Sequence, residues 1–394
     1  MRSSSKNTLI YNVLRVPVLV VYLIGMIMAI RYQAHIFARI GMVVGIVVPI
    51  LSYAIKKKEK KNKTVVFFVF YLVLILYFVF HMMGGRTVYK YVATDRIKEM
   101  VFNLGWGFFT YLYFRSFSKQ SLIRLYTLLC IALTVIQIVE TGGAFRTVLT
   151  PVNINTLGLL CGYCAAFQVY QVLTNKSKMV NLLCLIFFAI IVLFTGSRQA
   201  MIAMALPTII LLVYQRKGNR FFRILIACLA IVVVYLMLME IPLLYDLIGN
   251  RIETLFRALG GDANAEVSAA ARERHYERAL LLFARRPVMG YGLGNYQYLA
   301  GTSVYSHSNY MEMLVSGGCI AFLLYYIPFI VILIRTLKIK VKTPFLVLLI
   351  GLLCTQIFIE YFLISYYRHF TMLIYVILIA LLDMEKSGVP YTTR

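Results

Sequence analysis

The sequence has 394 residues, of which 61% are hydrophobic and only 14% are charged, and its formal net charge is +25. Soluble domains are about half apolar and about a quarter charged, so this composition excludes an ordinary soluble fold and predicts a protein surrounded by lipid. The basic residues lie in short segments between apolar runs, which is typical of membrane topology and argues against a nucleic-acid partner.

Apolar runs of about 20 residues recur along the whole chain, and this is the length that a helix needs to cross about 30 Å of hydrocarbon. We therefore predict an all-α, polytopic integral membrane bundle with about 12 transmembrane helices. The predicted spans are 13–31, 37–55, 64–84, 100–116, 122–141, 152–173, 179–195, 199–215, 221–240, 309–335, 344–363 and 370–384.

The distribution of lysine and arginine indicates the orientation. With a cytoplasmic N-terminus, 24 basic residues fall on the inner side and 9 on the outer side when the longest loop is left out. This asymmetry follows the positive-inside rule and predicts that both termini are cytoplasmic. When the longest loop is included, lysines divide 15 inside to 2 outside, whereas arginines divide 9 inside to 14 outside. Because arginine recognises phosphate through two parallel hydrogen bonds, its external excess favours a phosphate-bearing ligand over ordinary headgroup pairing.

One large external loop, 241–306, separates spans nine and ten. Its beginning has the apolar spacing of a surface helix over 243–259, and a second helix is predicted over 267–284. The turn-rich segment 287–294 then leads to the tenth span. We divide the chain into N-terminal helices (1–151), a core that contains this loop (152–335) and C-terminal helices (336–394).

Ionisable residues near the membrane surface are the candidates for chemistry. Arg198 ends span seven at the outer face, where it either contacts headgroups or offers a fixed cation at the depth of a lipid phosphate. His307 begins span ten, and a neutral imidazole there can accept a proton from a hydroxyl. Asn309 and Glu312 follow closely enough to orient neighbouring groups, while His275 is a rival base. The external loops contain no D-x-D or E-x-D pair, so neither a metal ion nor a cofactor is expected.

Four stretches, in this order, resemble the O-antigen ligase and polymerase superfamily of membrane glycosyltransferases. The first is Asn153-Ile-Asn155-Thr-Leu-Gly158, and the second is Thr195-Gly-Ser-Arg198-Gln-Ala. The third joins Arg272 and Tyr276 to Pro287 through Gly294, and the fourth runs from Ser306-His307-Ser308-Asn309 to Glu312, with Gly317-Gly318 after it. Tyr276 stands where the family usually has tryptophan, and Arg272 and Arg274 compete for one family arginine. The resemblance covers roughly residues 150 to 335.

The resemblance implies a metal-independent glycosyl transfer on the outer face of a bacterial plasma membrane, from an undecaprenyl-pyrophosphate-linked glycan. It implies catalytic roles for His307, Arg198 and Arg272. It also implies contacts to pyrophosphate or sugar, and the candidates for these are Arg274, Arg278, Asn155, Asn309 and Glu312. Besides this glycan and membrane lipid, a flippase and a chain-length regulator of the same pathway are candidate partners.

Three functions are compatible with these residues. The first is a repeat-unit polymerase, as in capsule or exopolysaccharide assembly, and this is the function that we predict. The second is a ligase that transfers the same lipid-linked glycan to another acceptor. The third is a flippase for lipid-linked oligosaccharide, which predicts charges buried midway along several spans, whereas the charges here cluster at the outer face.

Overall fold

The structure is a computed structural model. It describes residues 2–32, 36–55, 65–143, 150–174, 178–214, 267–302, 304–339 and 342–388, together with the single positions 239, 240, 245, 249 and 253. Its helices are α1 (Arg2–Arg31), α2 (Ile36–Ile55), α3 (Val66–Met83), α4 (Lys90–Phe114), α5 (Lys119–Thr141), α6 (Ile154–Thr174), α7 (Lys178–Thr195), α8 (Arg198–Tyr214), α9 (Val267–Arg285), α10 (Tyr296–Leu299), α11 (Asn309–Leu337), α12 (Pro344–Ile359) and α13 (His369–Gly388).

The prediction of an all-α membrane bundle is confirmed. Among the described residues, five helices, α3, α5, α6, α7 and α11, are long and apolar enough to cross a membrane, and four shorter apolar stretches lie in α1, α2, α8 and α12. No strand occurs among the residues that the structure describes. The helix predicted over 267–284 is present as α9. The ninth predicted span, 221–240, falls almost wholly outside the described residues, as does the surface helix over 243–259, so the number of twelve spans stays a prediction.

The bundle has a buried centre and a lipid-exposed edge. In α6, 78% of the most apolar stretch is buried, and nearly every side chain between positions 369 and 382 of α13 is buried as well. In α7 only 22% of the corresponding stretch is buried. A helix that is apolar on all sides but exposed needs lipid around it, so α7 lies at the edge.

The start of α4 differs from the prediction. The predicted span begins at position 100, but the helix begins at Lys90. Its first turns are charged, so hydropathy does not detect them, and tertiary contacts stabilise them instead. Arg96 lies 4.1 Å from the centre of the Tyr367 ring, which is a cation–π distance. A Cβ atom added at Gly294 would meet Val92 at 2.8 Å, so this turn packs closely on the loop that carries Gly294.

Helix α11 is broken at Gly317 and Gly318, where the backbone leaves the helical conformation and φ of Gly318 is 61°. The glycine segment, which we define as residues 287–294, fills the break. Four backbone hydrogen bonds join the glycine segment to the helix residues around the break: Tyr291 N–H to Val315 O (2.9 Å), Gly292 N–H to Ser316 O (2.7 Å), Cys319 N–H to Pro287 O (2.8 Å) and Ile320 N–H to Val288 O (3.5 Å). The segment therefore satisfies polar groups on both sides of the break, as non-helical backbone at membrane depth requires.

Candidate functional site

The histidine loop, which we define as residues 305–308, is the segment that holds His307 in front of α11. His307 has φ of 60° and is the only non-glycine residue with positive φ among those that the structure describes. Ser306 donates its N–H to Glu312 Oε1 at 3.0 Å and its hydroxyl to Ser308 O at 3.0 Å. Ser306, Ser308 and Glu312 are all buried. A strained backbone persists only where its surroundings determine it, and these buried contacts supply that constraint.

The ring of His307 is half-buried among groups that disfavour its protonated form. The ring centres of Tyr305 and His275 lie 4.5 Å and 5.9 Å away. Burial, the cation of Arg272 and the neighbouring His275 together lower the pKa of His307 to about 4. The imidazole is therefore neutral near pH 7 and has one nitrogen lone pair that can accept a proton.

Helix α9 carries the three arginines that the sequence singles out in this loop. Arg272 is half-buried, whereas Arg274 and Arg278 are exposed. Arg278 donates to Ala300 O at 3.3 Å, which ties α9 to the turn after α10. Neither Arg272 nor Arg274 has a hydrogen-bond or ion-pair partner within the described part of the chain. The charge of Arg272 acts on His307, whereas the charges of Arg278 and Arg274 act on His275.

His275 faces the same region and is held by Tyr296. The Tyr296 hydroxyl donates to the carbonyl of His275 at 2.9 Å, and its oxygen lies 2.9 Å from Nδ1 of the same histidine. This arrangement assigns the proton to Nδ1 and leaves Nε2 as the acceptor. Burial, Arg278 and Arg274 lower the pKa of His275. No sequence pattern indicates Tyr296, because a single aromatic residue in so short a helix has no distinguishing periodicity.

The bridging loop, which we define as residues 360–368 between α12 and α13, connects the separate motifs. Tyr276 donates its hydroxyl to Tyr361 O at 3.1 Å, which joins α9 to this loop. Gln199 donates its amide to Phe362 O at 2.8 Å. Arg198, which is half-buried, precedes Gln199 as the first residue of α8. The bridging loop thus holds the starts of α8 and α11 and one face of α9 together.

Asn309 is fully buried, and its side-chain amide is saturated. It donates to Tyr326 Oη at 2.9 Å and to Glu360 Oε2 at 3.1 Å. Its oxygen accepts from the N–H groups of Ser365 and Tyr366 at 3.0 and 3.1 Å. An amide makes no more than these four bonds in good geometry, so a positioning role for Asn309 is favoured over direct contact with a ligand.

Glu360 is a buried carboxylate that the sequence analysis did not identify. It accepts hydrogen bonds from the hydroxyls of Tyr325, Tyr326 and Tyr375 as well as from Asn309. It lies at the end of an apolar span and its partners are far away in sequence, so no local pattern could reveal it. The network fixes the bridging loop against the start of α11.

Asn155 lies at the start of α6, where its side chain is exposed and its N–H donates to Asn153 Oδ1 at 2.9 Å. This end of α6 packs directly on the second motif. A Cβ atom added at Gly158 would lie 2.7 Å from Thr195 Oγ1 at the end of α7 and 3.0 Å from Ala200 Cβ in α8, so glycine permits the close approach of α6 to both helices. Asn155 therefore lies at the same end of the bundle as Arg198, exposed to an incoming ligand.

No group of three or more histidine, cysteine, aspartate or glutamate side chains that could hold a metal ion occurs among the described residues. Metal independence itself stays a prediction. Residues 183–326 match the family model described as O-antigen ligase. The match contains Arg198, Arg272 and His307 but not Asn155. It confirms the resemblance to the O-antigen ligase and polymerase superfamily and supports a function of that general type. No curated protein matches the chain.

Proposed function

We propose that this chain, whose residues 183–326 carry the O-antigen ligase pattern, polymerises lipid-linked oligosaccharide repeat units on the outer face of the plasma membrane. The observation that carries the proposal is the His307 imidazole. It is neutral, held by buried neighbours in a strained backbone and adjacent to the cationic Arg272. A proton acceptor beside a fixed cation is what a transfer with an anionic leaving group needs.

The chemistry is a substitution at the anomeric carbon of the growing chain. A hydroxyl oxygen of the next lipid-linked repeat attacks that carbon, and the carbon–oxygen bond to undecaprenyl pyrophosphate breaks. The electron pair of that bond stays on the pyrophosphate, and the hydroxyl proton passes to His307. The products are a chain longer by one repeat and free undecaprenyl pyrophosphate, so no oxidant or co-reactant is needed.

The cationic residues stabilise the leaving group in this proposal. Arg272 has no hydrogen-bond or ion-pair partner among the described residues and is therefore available to the pyrophosphate. We assign the same role to Arg198, the first residue of α8. The exposed Arg274 and Arg278 extend the positive surface along α9. Preorganised donors of this kind act most strongly where charge develops in the transition state.

Glu312 and Asn309 act on the site through the backbone. Glu312 holds the Ser306 N–H, and Asn309 holds the bridging loop. Asn155, which is exposed, is the residue of this group that remains available to contact a sugar. These roles agree with the burial of each side chain.

A ligase is the second candidate, because the description of the matching family favours it. A ligase uses the same donor and the same leaving group, and it differs only in the acceptor. The products therefore separate the candidates. Purified protein given only lipid-linked repeats forms polymer if it is a polymerase and forms none if it needs another acceptor, whereas a flippase moves the repeats without joining them.

The mechanism is tested by comparing His307→Ala with His275→Ala. We expect His307→Ala to lower turnover by about 10²–10⁴-fold, as for a lost general base, while donor binding is largely kept. His275→Ala should cost far less, because Tyr296 and the arginines of α9 already engage His275. Turnover and donor binding with purified lipid-linked repeats measure both effects. Near-normal turnover in His307→Ala would place the base elsewhere, and loss of donor binding would make His307 a substrate contact.

A further inference from the structure

A cationic cleft lies apart from the histidine loop. It is an open cavity of about 550 Å³ between the turn that follows α3 and the turn that follows α9. Its lining residues are Gly85, Arg86, Thr87, Val88, Arg286, Pro287, Val288, Met289 and Gly290. None of these residues has a role in the transfer chemistry described above.

The cleft has the donors that an anion needs. Arg86 and Arg286 are exposed, and neither has a carboxylate partner within the described residues. The Arg286 guanidinium lies 4.7 Å from the centre of the Tyr291 ring, and Arg86 donates to the sulfur of Met289. The N–H group of Thr87 has no acceptor among the described residues. Two guanidinium groups and a free backbone N–H favour a phosphate ligand.

Exposed apolar side chains lie in the cleft and at the end of α3, just before it in the chain. Met83, which precedes the first turn, is 74% exposed, and Phe80, one helical turn earlier, is 69% exposed. Val288 in the second turn is 58% exposed. Large exposed apolar side chains at the end of a spanning helix contact lipid tails, so the cleft combines a phosphate site with a path for a hydrocarbon chain. The ligand that fits both features is a phosphate-bearing lipid.

The cleft and the proposed reaction centre lie at opposite ends of α9. Arg272 acts on His307 near the start of this helix, whereas Arg286 directly follows its end. At 1.5 Å per residue the two arginines are separated by roughly 20 Å along the axis. One pyrophosphate therefore cannot engage both arginines at once.

We propose that this cleft binds the pyrophosphate of the acceptor, the second lipid-linked glycan that a polymerase requires. The inference rests on the proposed function, because a polymerase joins two lipid-linked molecules. The reacting hydroxyl of the acceptor lies at the far end of its glycan from its own pyrophosphate. Acceptor pyrophosphate and reaction centre must therefore be separated by the length of a repeat unit, and α9 provides such a separation.

The test counts the lipid pyrophosphates that the protein binds. The full chain is placed in phosphatidylcholine nanodiscs, undecaprenyl pyrophosphate is added, and bound lipid is counted by native mass spectrometry. We expect two equivalents for the unaltered protein and one for the double variant Arg86→Gln/Arg286→Gln, with the second affinity weakened about tenfold or more. The matched control is Arg285→Gln, because Arg285 is an exposed neighbouring arginine that does not line the cleft. It should keep two equivalents.

Each other outcome decides against the proposal or against the function separately. Two equivalents at unchanged affinity in the double variant would overturn the cleft. Displacement of the second equivalent by excess phosphatidylglycerol would show a site for bulk anionic headgroups and overturn the assignment to the acceptor.

If the unaltered protein binds two equivalents that resist this displacement but never forms polymer, the cleft stands as a site for lipid pyrophosphate and the polymerase assignment fails. If polymer forms at the normal rate in the double variant, the cleft is not the acceptor site. Thermal unfolding of every variant controls for folding and should be unchanged. Arg86→Lys, which keeps the positive charge, is the conservative form of the Arg86→Gln substitution.

Discussion

The histidine loop and the glycine segment both dock on α11, but by opposite means. The histidine loop is fixed through side chains, since Ser306 bonds to Glu312 and Ser308 caps the helix by accepting from Met311 N–H at 3.5 Å. The glycine segment is fixed by four backbone hydrogen bonds at the break of the same helix, and the Tyr77 hydroxyl of α3 adds bonds to Met289 O at 3.2 Å and to Gly317 O at 3.0 Å. The histidine loop presents the side chain of His307, whereas the glycine segment has no room for a side chain at Gly290.

Each loop contains a residue with a positive φ angle of nearly the same size. His307 has φ of 60° and Gly290 has φ of 66°. At Gly290 a Cβ atom would lie 2.5 Å from Val315 O, so the space is closed to any side chain. At position 307 an L-residue in this conformation costs about 1–2 kcal/mol relative to an ordinary one. A histidine at that cost, rather than a glycine, indicates that the side chain itself is needed.

The largest expected effect is at the glycine segment. Gly290→Ala combines positive φ with a clash against Val315 O and the N–H of Gly317. We expect the free energy of unfolding to fall by about 2–5 kcal/mol, the sum of the conformational cost and overpacking. Thermal unfolding of the purified protein in detergent measures the loss.

The matched control for this substitution is Gly301→Ala. Gly301 has φ of 62°, but no atom lies within 4 Å of an added Cβ. It should lose only about 1–2 kcal/mol, the cost of the left-handed conformation. Equal losses at the two positions would show that docking in the break contributes nothing and that conformation alone accounts for both glycines.

A smaller effect is expected where the histidine loop is held. Glu312→Ala removes the acceptor for the buried Ser306 N–H, which lowers the stability of the histidine loop by about 1–3 kcal/mol. We expect turnover to fall about ten- to hundredfold while the KM for the donor changes little. Glu312→Gln keeps an acceptor oxygen and should restore turnover to within about threefold of normal. If the glutamine variant is as impaired as the alanine variant, the carboxylate takes part in chemistry rather than in positioning.

The smallest effect is a shift in pH dependence. His307 has a pKa lowered to about 4, so it is neutral above that pH and loses its ability to accept a proton only below it. We expect kcat/KM to stay level from pH 8 to about pH 5, whereas an unperturbed histidine would reduce it already below about 6.5.

Arg272→Gln sharpens this test, because it removes one of the causes of the lowered pKa. The pKa of His307 should rise in this variant but stay below its ordinary value, since burial remains the larger cause. NMR titration of labelled histidine measures the change directly. An unchanged pKa would separate Arg272 from His307 and remove the basis for placing both in one site.

The sequence predicted the helices well where lipid determines them. The span predicted over 64–84 corresponds to α3 at Val66–Met83, because bilayer thickness sets the length of an apolar run. The prediction failed where tertiary contacts override hydropathy. The charged first turns of α4 are stabilised by the glycine segment and by Tyr367, and the span predicted to end at position 363 ends at Ile359 because the bridging loop begins there.

The site was predictable only in part. Its charged and histidine residues appear in recognisable motifs, and the structure brings Arg272, His275 and His307 together. Glu360 and Tyr296 could not be found, because their hydrogen bonds join distant or irregular parts of the chain and leave no periodicity. The roles of Arg198 and Asn155 stay predictions, because they depend on the packing of α6 and α8, which no single motif describes.

The break in α11 also separates two requirements on this helix, which are to span the bilayer and to hold the histidine loop in place. The part after the break, from Cys319 to Leu337, is about 28 Å long at 1.5 Å per residue, close to the hydrocarbon thickness. The part before it, from Asn309 to Ser316, directly follows the histidine loop. A thicker or thinner bilayer is therefore expected to tilt the second part about the glycine pair while the first keeps its position against α9 and the bridging loop. The reaction centre would then be insulated from changes in membrane thickness that an unbroken helix would transmit to it.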